Sequence, residues 1–214
     1  MRMLGLVLVL TPIVGCNLVQ PHVQGSGVIK SEDRKESGFT GVVGVGSETI
    51  EIVVGKHFAV TVRGDDNIVP LIETKVRDST LHIGGKGNYS TKKGIKVTVS
   101  MPALTSLRLA GSGSMTARGI KSQRLDVILD GSGQIRASGA VDRVRSDLNG
   151  SGEIDLSNLP ALSADLDLAG SGQMRANVKT SLDAVLSGSG QILYSGSPKA
   201  STRVTGSGAI RQEN

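Results

Sequence analysis

The chain has 214 residues, of which 29 are Gly; Trp is absent, 38% of residues are hydrophobic, 20% charged and 2% aromatic. This is too apolar for a disordered chain, its Gly follow no three-residue period as in collagen, and it is poor material for an enzyme built on deep aromatic pockets. The net charge of +5 is a small excess of scattered Lys and Arg, and with 2 Tyr and 2 Phe as the only stacking platforms it argues against nucleic acid as a partner.

In chain order, the first element is an address. Met1-Arg2-Met3 is a short basic start and Leu4 to Leu10 an apolar run broken only by Gly5. The run is too short for a bilayer span of roughly 20 residues, so residues 1–15 read as a cleaved signal peptide. Ile13-Val14-Gly15-Cys16 resembles a bacterial lipobox, and Cys16, the only cysteine of the chain, is the expected lipidation site. Several acyl chains, each contributing about 0.8 kcal/mol per buried CH₂, would anchor the protein stably. Asn17 in place of Asp resembles lipoproteins passed on to an outer membrane, so the expected location is the envelope of a Gram-negative bacterium. Residues 16–27, with Pro21 and Gly25-Ser26-Gly27, read as a lipidated tether.

Residues 28–105 carry strand-like runs, among them Thr49 to Val54, Phe58 to Val62, Thr80 to Ile83 and Ile95 to Val99, separated by Gly-rich turns. They predict a β-rich N-terminal cap, antiparallel or forming the first rungs of a stack. Lys86, Lys92, Lys93 and Lys96 fall close together and read as a solvated hairpin loop, with anionic head groups or acidic polysaccharide as the alternative contact.

Residues 106–212 are a repeat. Gly-Ser-Gly stands at 111–113, 131–133, 150–152, 170–172, 188–190 and 206–208, advancing by 20, 19, 20, 18 and 18 residues. Leu109, Leu129, Leu148, Leu168, Leu186 and Val204 precede these turns by two positions. Met115, Ile135, Ile154, Met174, Ile192 and Ile210 follow the first Gly by four. The flanks alternate with period 2, which means strand, and a length near 19 leaves no room for a crossover helix. The expected fold is therefore all-β: a β-solenoid or β-helix-like stack of short strands in rungs of about 19 residues, with the Leu and Ile/Met columns as its interior. Gly is expected where the backbone takes positive φ or crowds the next rung. The middle Ser hydroxyls are expected to bond along the stack or to cap freed amides.

The opposite parity points outward. Gln134, Glu153, Gln173 and Gln191 form one expected column and Arg136, Asp155 and Arg175 the next, the latter predicting an alternating ladder of Arg136, Asp155 and Arg175 across rungs. These seven residues are the candidate binding face, a flat polar surface suited to a glycan or an envelope protein; without aromatic platforms it is not built for tight sugar stacking.

The segment Lys75-Val76 to Leu81-His82-Ile83, then Val97 to Leu104 with its Met101-Pro102-Ala103-Leu104 step, running into Leu107-Arg108-Leu109-Ala110-Gly111-Ser112-Gly113, resembles a domain of unknown function, the putative auto-transporter adhesin, head GIN domain. The resemblance spans about residues 28 to 212. It implies a β-rich, solenoid-like envelope protein, commonly a lipoprotein, with no established catalytic residues.

Familiar catalytic spacings are absent from the sequence: there is no dinucleotide fingerprint, phosphate loop or Gly-x-Ser-x-Gly elbow, and Asp126, Asp130, Asp165 and Asp167 do not follow the calcium-binding nonapeptide pattern. His22, His57 and His82 are scattered. No catalytic residue, cofactor or metal is expected. The expected function is a non-catalytic envelope lipoprotein acting as a structural or interaction module, with adhesion or glycan and protein binding on the flat face. The alternatives are a glycan-active enzyme using cross-rung carboxylates such as Glu153, Asp155 and Asp167, and a partner or sensor lipoprotein of an envelope signalling system.

Overall fold

A computed structural model describes residues 22–213; the signal segment and Cys16 lie outside the described residues. The described chain is nearly all β, with one short 3₁₀ turn and no α-helix, and winds into a β-solenoid of about five turns. Its strands in chain order are β1 (Val23–Gln24), β2 (Ile29–Arg34), β3 (Gly41–Gly46), β4 (Thr49–Val54), β5 (Ala59–Asp65), β6 (Ile72–Arg77), β7 (Thr80–Gly85), β8 (Tyr89–Ser90), β9 (Lys96–Met101) and β10 (Ser106–Gly111). The repeat continues as four long bent strands, β11 (Ser114–Gly131), β12 (Gln134–Gly150), β13 (Glu153–Gly170) and β14 (Gln173–Gly188), and then β15 (Gln191–Ser195), β16 (Lys199–Gly206) and β17 (Ala209–Gln212).

Each long strand is two legs joined by an irregular corner. The leg after a Gly-Ser-Gly turn pairs in parallel with its equivalents, as in Gln134 with Glu153 and Glu153 with Gln173. The leg before the turn does the same in a second sheet, as in Leu129 with Leu148 and Leu148 with Leu168. The alternation read from the sequence therefore becomes two parallel sheets whose inner faces share one core. Leu109, Leu129, Leu148, Leu168 and Leu186 stack at 0–1% exposure, as do Met115, Ile135, Ile154, Met174 and Ile192. Burying one such side chain contributes about 1.5–3 kcal/mol, so every rung supplies a similar increment and rests on its neighbours.

The Gly-Ser-Gly turn stacks through its backbone. Ser151 N and Gly152 N both donate to Gly131 O at 3.1 Å, Glu153 N donates to Gly133 O at 3.0 Å, and the same three bonds recur at the neighbouring turns. Gly150 has φ +133°, and a Cβ there would drive into Gly131 O. Gly152 has ordinary φ, yet a Cβ would strike Gly133 O and Leu129 Cδ2. The Ser side chains depart from expectation: the hydroxyls of Ser112, Ser132, Ser151, Ser171 and Ser189 are exposed at the outer edge, and it is the Ser amides that form the ladder. The backbone already satisfies the bend, leaving the hydroxyls nothing to cap.

The N-terminal half supplies both a cap and first rungs. β3 and β4 form a rung that stacks in parallel beneath β10 and the first leg of β11, and β7 and β9 form a further one beneath it. Spatial order thus differs from chain order, because residues 41–54 lie between residues 80–101 and the repeat. Antiparallel β5, β2 and β6 then close this end, pairing onto β9, β5 and β7. Such closure matters because an open parallel stack presents unpaired amides and carbonyls at its edge.

Residues 22–27, at the end of the expected tether, lie against this cap. β1 pairs with β8, Asn67 Nδ2 donates to Gln24 O, and the buried Asp65 carboxylate accepts from Gly27 N at 2.6 Å and Lys92 N at 3.0 Å. Burial alone would raise Asp65, but the amides of Gly27, Lys92 and Lys93 outweigh it and hold the carboxyl below the usual range. The Lys-rich segment joins the cap to the first rungs: Lys86 pairs with Glu73 of β6 at 2.6 Å and Lys96 of β9 with Glu51 of β4 at 2.8 Å.

Candidate binding face

All seven residues of the predicted face share the sheet formed by the legs that come after the Gly-Ser-Gly turns. Gln134, Glu153, Gln173 and Gln191 are in direct register, and so are Arg136, Asp155 and Arg175. Period-2 alternation places both columns outward, since Ile135, Ile154 and Met174 between them are buried. The exposed Ser column runs beside the Gln/Glu column, and between them is a shallow channel of about 430 Å³ lined by Ser132, Ser151, Ser171, Gln134, Glu153 and Gln173.

The side chains form a lattice that differs from the predicted ladder. Arg136 Nη1 donates to Gln134 Oε1, Gln134 Nε2 donates to Glu153 Oε2, and Arg175 Nη1 donates to Glu153 Oε1 at 3.1 Å. Glu153, not Asp155, is the anion shared by the two arginines, with Arg136 at 4.0 Å. The reason is reach. A short Asp directly opposite an Arg is better satisfied locally, and Asp155 Oδ1 accepts from Ser157 N at 3.0 Å and Ser157 Oγ at 2.6 Å. A longer Glu two positions back, on the same face, meets both guanidinium groups diagonally. Each of these half-exposed pairs contributes about 0–1 kcal/mol to stability, so the lattice orders the surface more than it holds the fold. Gln173 and Gln191 make no side-chain hydrogen bond among the described residues, which leaves their amides open to a ligand.

The carboxylates of the enzymatic alternative do not converge. Glu153 and Asp155 project from one sheet, whereas Asp167 lies on the other leg of β13 in register with Asp147, on the second sheet. Among the described residues no group of three or more His, Cys, Asp or Glu is placed to hold a metal ion. His22 meets Ser90 Oγ at 3.1 Å, His57 is exposed beside a turn and His82 is half-buried in β7, so the three remain apart.

Two features of this face escaped sequence reasoning. One is Gly46-Ser47, the lower end of the turn ladder: Ser112 N and Gly113 N donate to Gly46 O. Glu48 replaces the second Gly there, which hid the repeat, although the alternation of Thr49 to Val54 just after it was a usable signal. The other is the Ser column as one wall of a channel, which only the stacking of turns creates.

Comparison with curated proteins yields no match. Among solved structures, the chain is similar to a putative adhesin from Bacteroides fragilis, with 25% identity, TM-score 0.73, and 89% of this chain and 100% of that one covered. It is also similar to a putative lipid binding protein from Parabacteroides distasonis, with 25% identity, TM-score 0.61, and 91% and 100% covered. A putative adhesin from Parabacteroides merdae shares the fold at 18% identity and TM-score 0.63, with 90% and 99% covered. The family model described as putative auto-transporter adhesin, head GIN domain, matches residues 38–198, three-quarters of the chain and nearly every rung of the solenoid, and the protein belongs to that family.

Proposed function

We propose that the chain is a non-catalytic, lipid-anchored interaction module of the bacterial outer membrane that binds glycan or envelope protein on the face of Gln134, Arg136, Glu153, Asp155, Gln173, Arg175 and Gln191. The observation that carries this reading is the ordered lattice Arg136–Gln134–Glu153–Arg175 beside a hydroxyl-lined channel, with free amides continuing it on the next rungs. Membership of an adhesin-like family supports a cell-envelope or surface role, and a neighbour of the same fold is itself described as a putative adhesin. Hydrogen-bonding groups repeat about every 4.8 Å along the stack, so a chain-like ligand with its own short repeat would be met several times, and weak contacts would add.

The test is a screen of the Cys16→Ser chain against arrayed surface polysaccharides and purified envelope proteins, with Arg136→Ala/Arg175→Ala as the comparison. Saturable binding that falls about tenfold in the double variant supports the reading, in line with loss of about 1.4 kcal/mol across two charge-assisted contacts. Absence of binding by the parent chain refutes it. Lipid anchoring is tested separately: the natural chain should sediment with membranes and the Cys16→Ser chain should not.

A further inference from the structure

The corner of the solenoid opposite the Gly-Ser-Gly turns is where the rungs lose their regularity. Pairing registers shift between Ala117 and Ile120, between Arg136 and Val141, and between Leu156 and Ala161. Unequal corner lengths set some rungs back from others, and the recess is a groove of about 540 Å³, larger than the channel on the polar face. Ala140, Pro160 and Leu162 supply its accessible apolar surface, Leu162 being 48% exposed although large and aliphatic, while Val141 and Ala161 back it from the core and Ser122 and Gln123 add polar groups beside Lys121. Exposed apolar surface of this kind, gathered in a concavity, marks a binding site more often than scattered surface residues do.

The ends of the groove are cationic. Lys121 and Lys179 line it three rungs apart, about 14 Å at the usual strand spacing. Neither makes an ion pair among the described residues, and Asp142, the one carboxylate lining the groove, leaves it net positive. A groove with an apolar wall of Ala140, Pro160 and Leu162 and a lysine at each end matches an acyl chain carrying an acid group: methylenes cover the apolar wall and the anion meets an ammonium. The groove is sunk into a corner only a few rungs long, so it takes a single free chain and not the plane of a bilayer.

We infer that this corner groove binds a free, single-chain anionic amphiphile, with the acyl chain over Ala140, Pro160 and Leu162 and the acid group at Lys121 or Lys179. The site lies at the other corner of the rung from the polar face and does not depend on it. Each can therefore fail alone.

The experiment titrates the Cys16→Ser chain by calorimetry with dodecanoate, with uncharged monododecanoylglycerol, and with phosphatidylglycerol vesicles, the two single-chain probes being kept below their micelle concentrations. Dodecanoate should bind saturably. Leu162→Gln should weaken both single-chain probes about tenfold, since it uncovers a large aliphatic contact. Lys121→Glu/Lys179→Glu should weaken dodecanoate about tenfold and leave the uncharged probe within about twofold. Both variants change exposed side chains, and Ala140→Trp, which fills the groove from another position, should abolish binding while its thermal unfolding confirms a folded chain. No saturable dodecanoate binding, parental affinity in Leu162→Gln, or binding only to vesicles overturns the inference. Arg136→Ala/Arg175→Ala should leave dodecanoate affinity unchanged; a loss there would also overturn it.

Discussion

Replacing Gly150 by Ala tests whether the turn ladder rests on backbone or on hydroxyls. Gly150 has φ +133°, a region costing a residue with a side chain about 1–3 kcal/mol. The new Cβ would also press on Gly131 O, the acceptor of both Ser151 N and Gly152 N. Relieving that contact lengthens two hydrogen bonds, each contributing about 0.5–1.5 kcal/mol net. Together the loss is about 2–6 kcal/mol, a large part of the 5–15 kcal/mol typical of a whole domain. Ser151→Ala, one residue on, removes an exposed hydroxyl with no partner among the described residues and should stay within about 0.5 kcal/mol of the parent. The assay is urea unfolding of the Cys16→Ser chain by far-ultraviolet circular dichroism, with hydrogen exchange at Ile135, Ile154 and Met174 to detect a local break, because stacked rungs need not unfold as one unit. A Gly150→Ala chain as stable as its parent, or a Ser151→Ala chain equally damaged, would show that the hydroxyls and not the glycine backbone carry the turn.

Ser146 occupies an interior position between Val127 and Leu166, is 0% exposed, and its Oγ has no partner among the described residues. Ser146→Ala should therefore raise stability by about 1–3 kcal/mol, and a lower urea midpoint would contradict it. Asp65→Asn should release residues 22–27 from the cap, seen as faster hydrogen exchange at Gly27 and Lys92 with the repeat unaffected; unchanged exchange would show that β1 pairing alone holds the segment. Glu73 is held down to about 2, chiefly by hydrogen bonds from Lys86 and Lys75. A folded value below the unfolded one contributes stability that is present above the ordinary value near 4.5 and is lost as pH falls through about 2. Asp65 acts in the same direction, so acid should loosen the cap before the repeat, and a repeat that opens first on acidification would refute this.

Much of the molecule was legible because its signals are local. Period-2 alternation reports which side of a strand each residue occupies, so Leu148 and Ile154 could be assigned inside and Glu153 and Asp155 outside without any coordinate. The Gly positions were legible for the same reason, since positive φ and crowding belong to one turn and its copy about 19 residues away. What stayed hidden depends on neighbours remote in sequence. The rung at residues 41–54 sits beneath residues 106–118 because β4 pairs with both β9 and β11, a choice made by long-range pairing that no local period encodes. The partner of Arg136 and Arg175 turned on side-chain length and on the nearby Ser157, so parity named the right face but the wrong carboxylate.

The Gly-Ser-Gly period near 19 residues and the period-2 flanks thus determined, from the sequence alone, a stack of short strands with a narrow aliphatic interior and an outward polar face. Only the tertiary structure decided the order of the rungs, the closure of one end by β2, β5 and β6, and the recess at the irregular corner. Each of these arises where strands distant along the chain meet, and backbone periodicity is silent about such meetings.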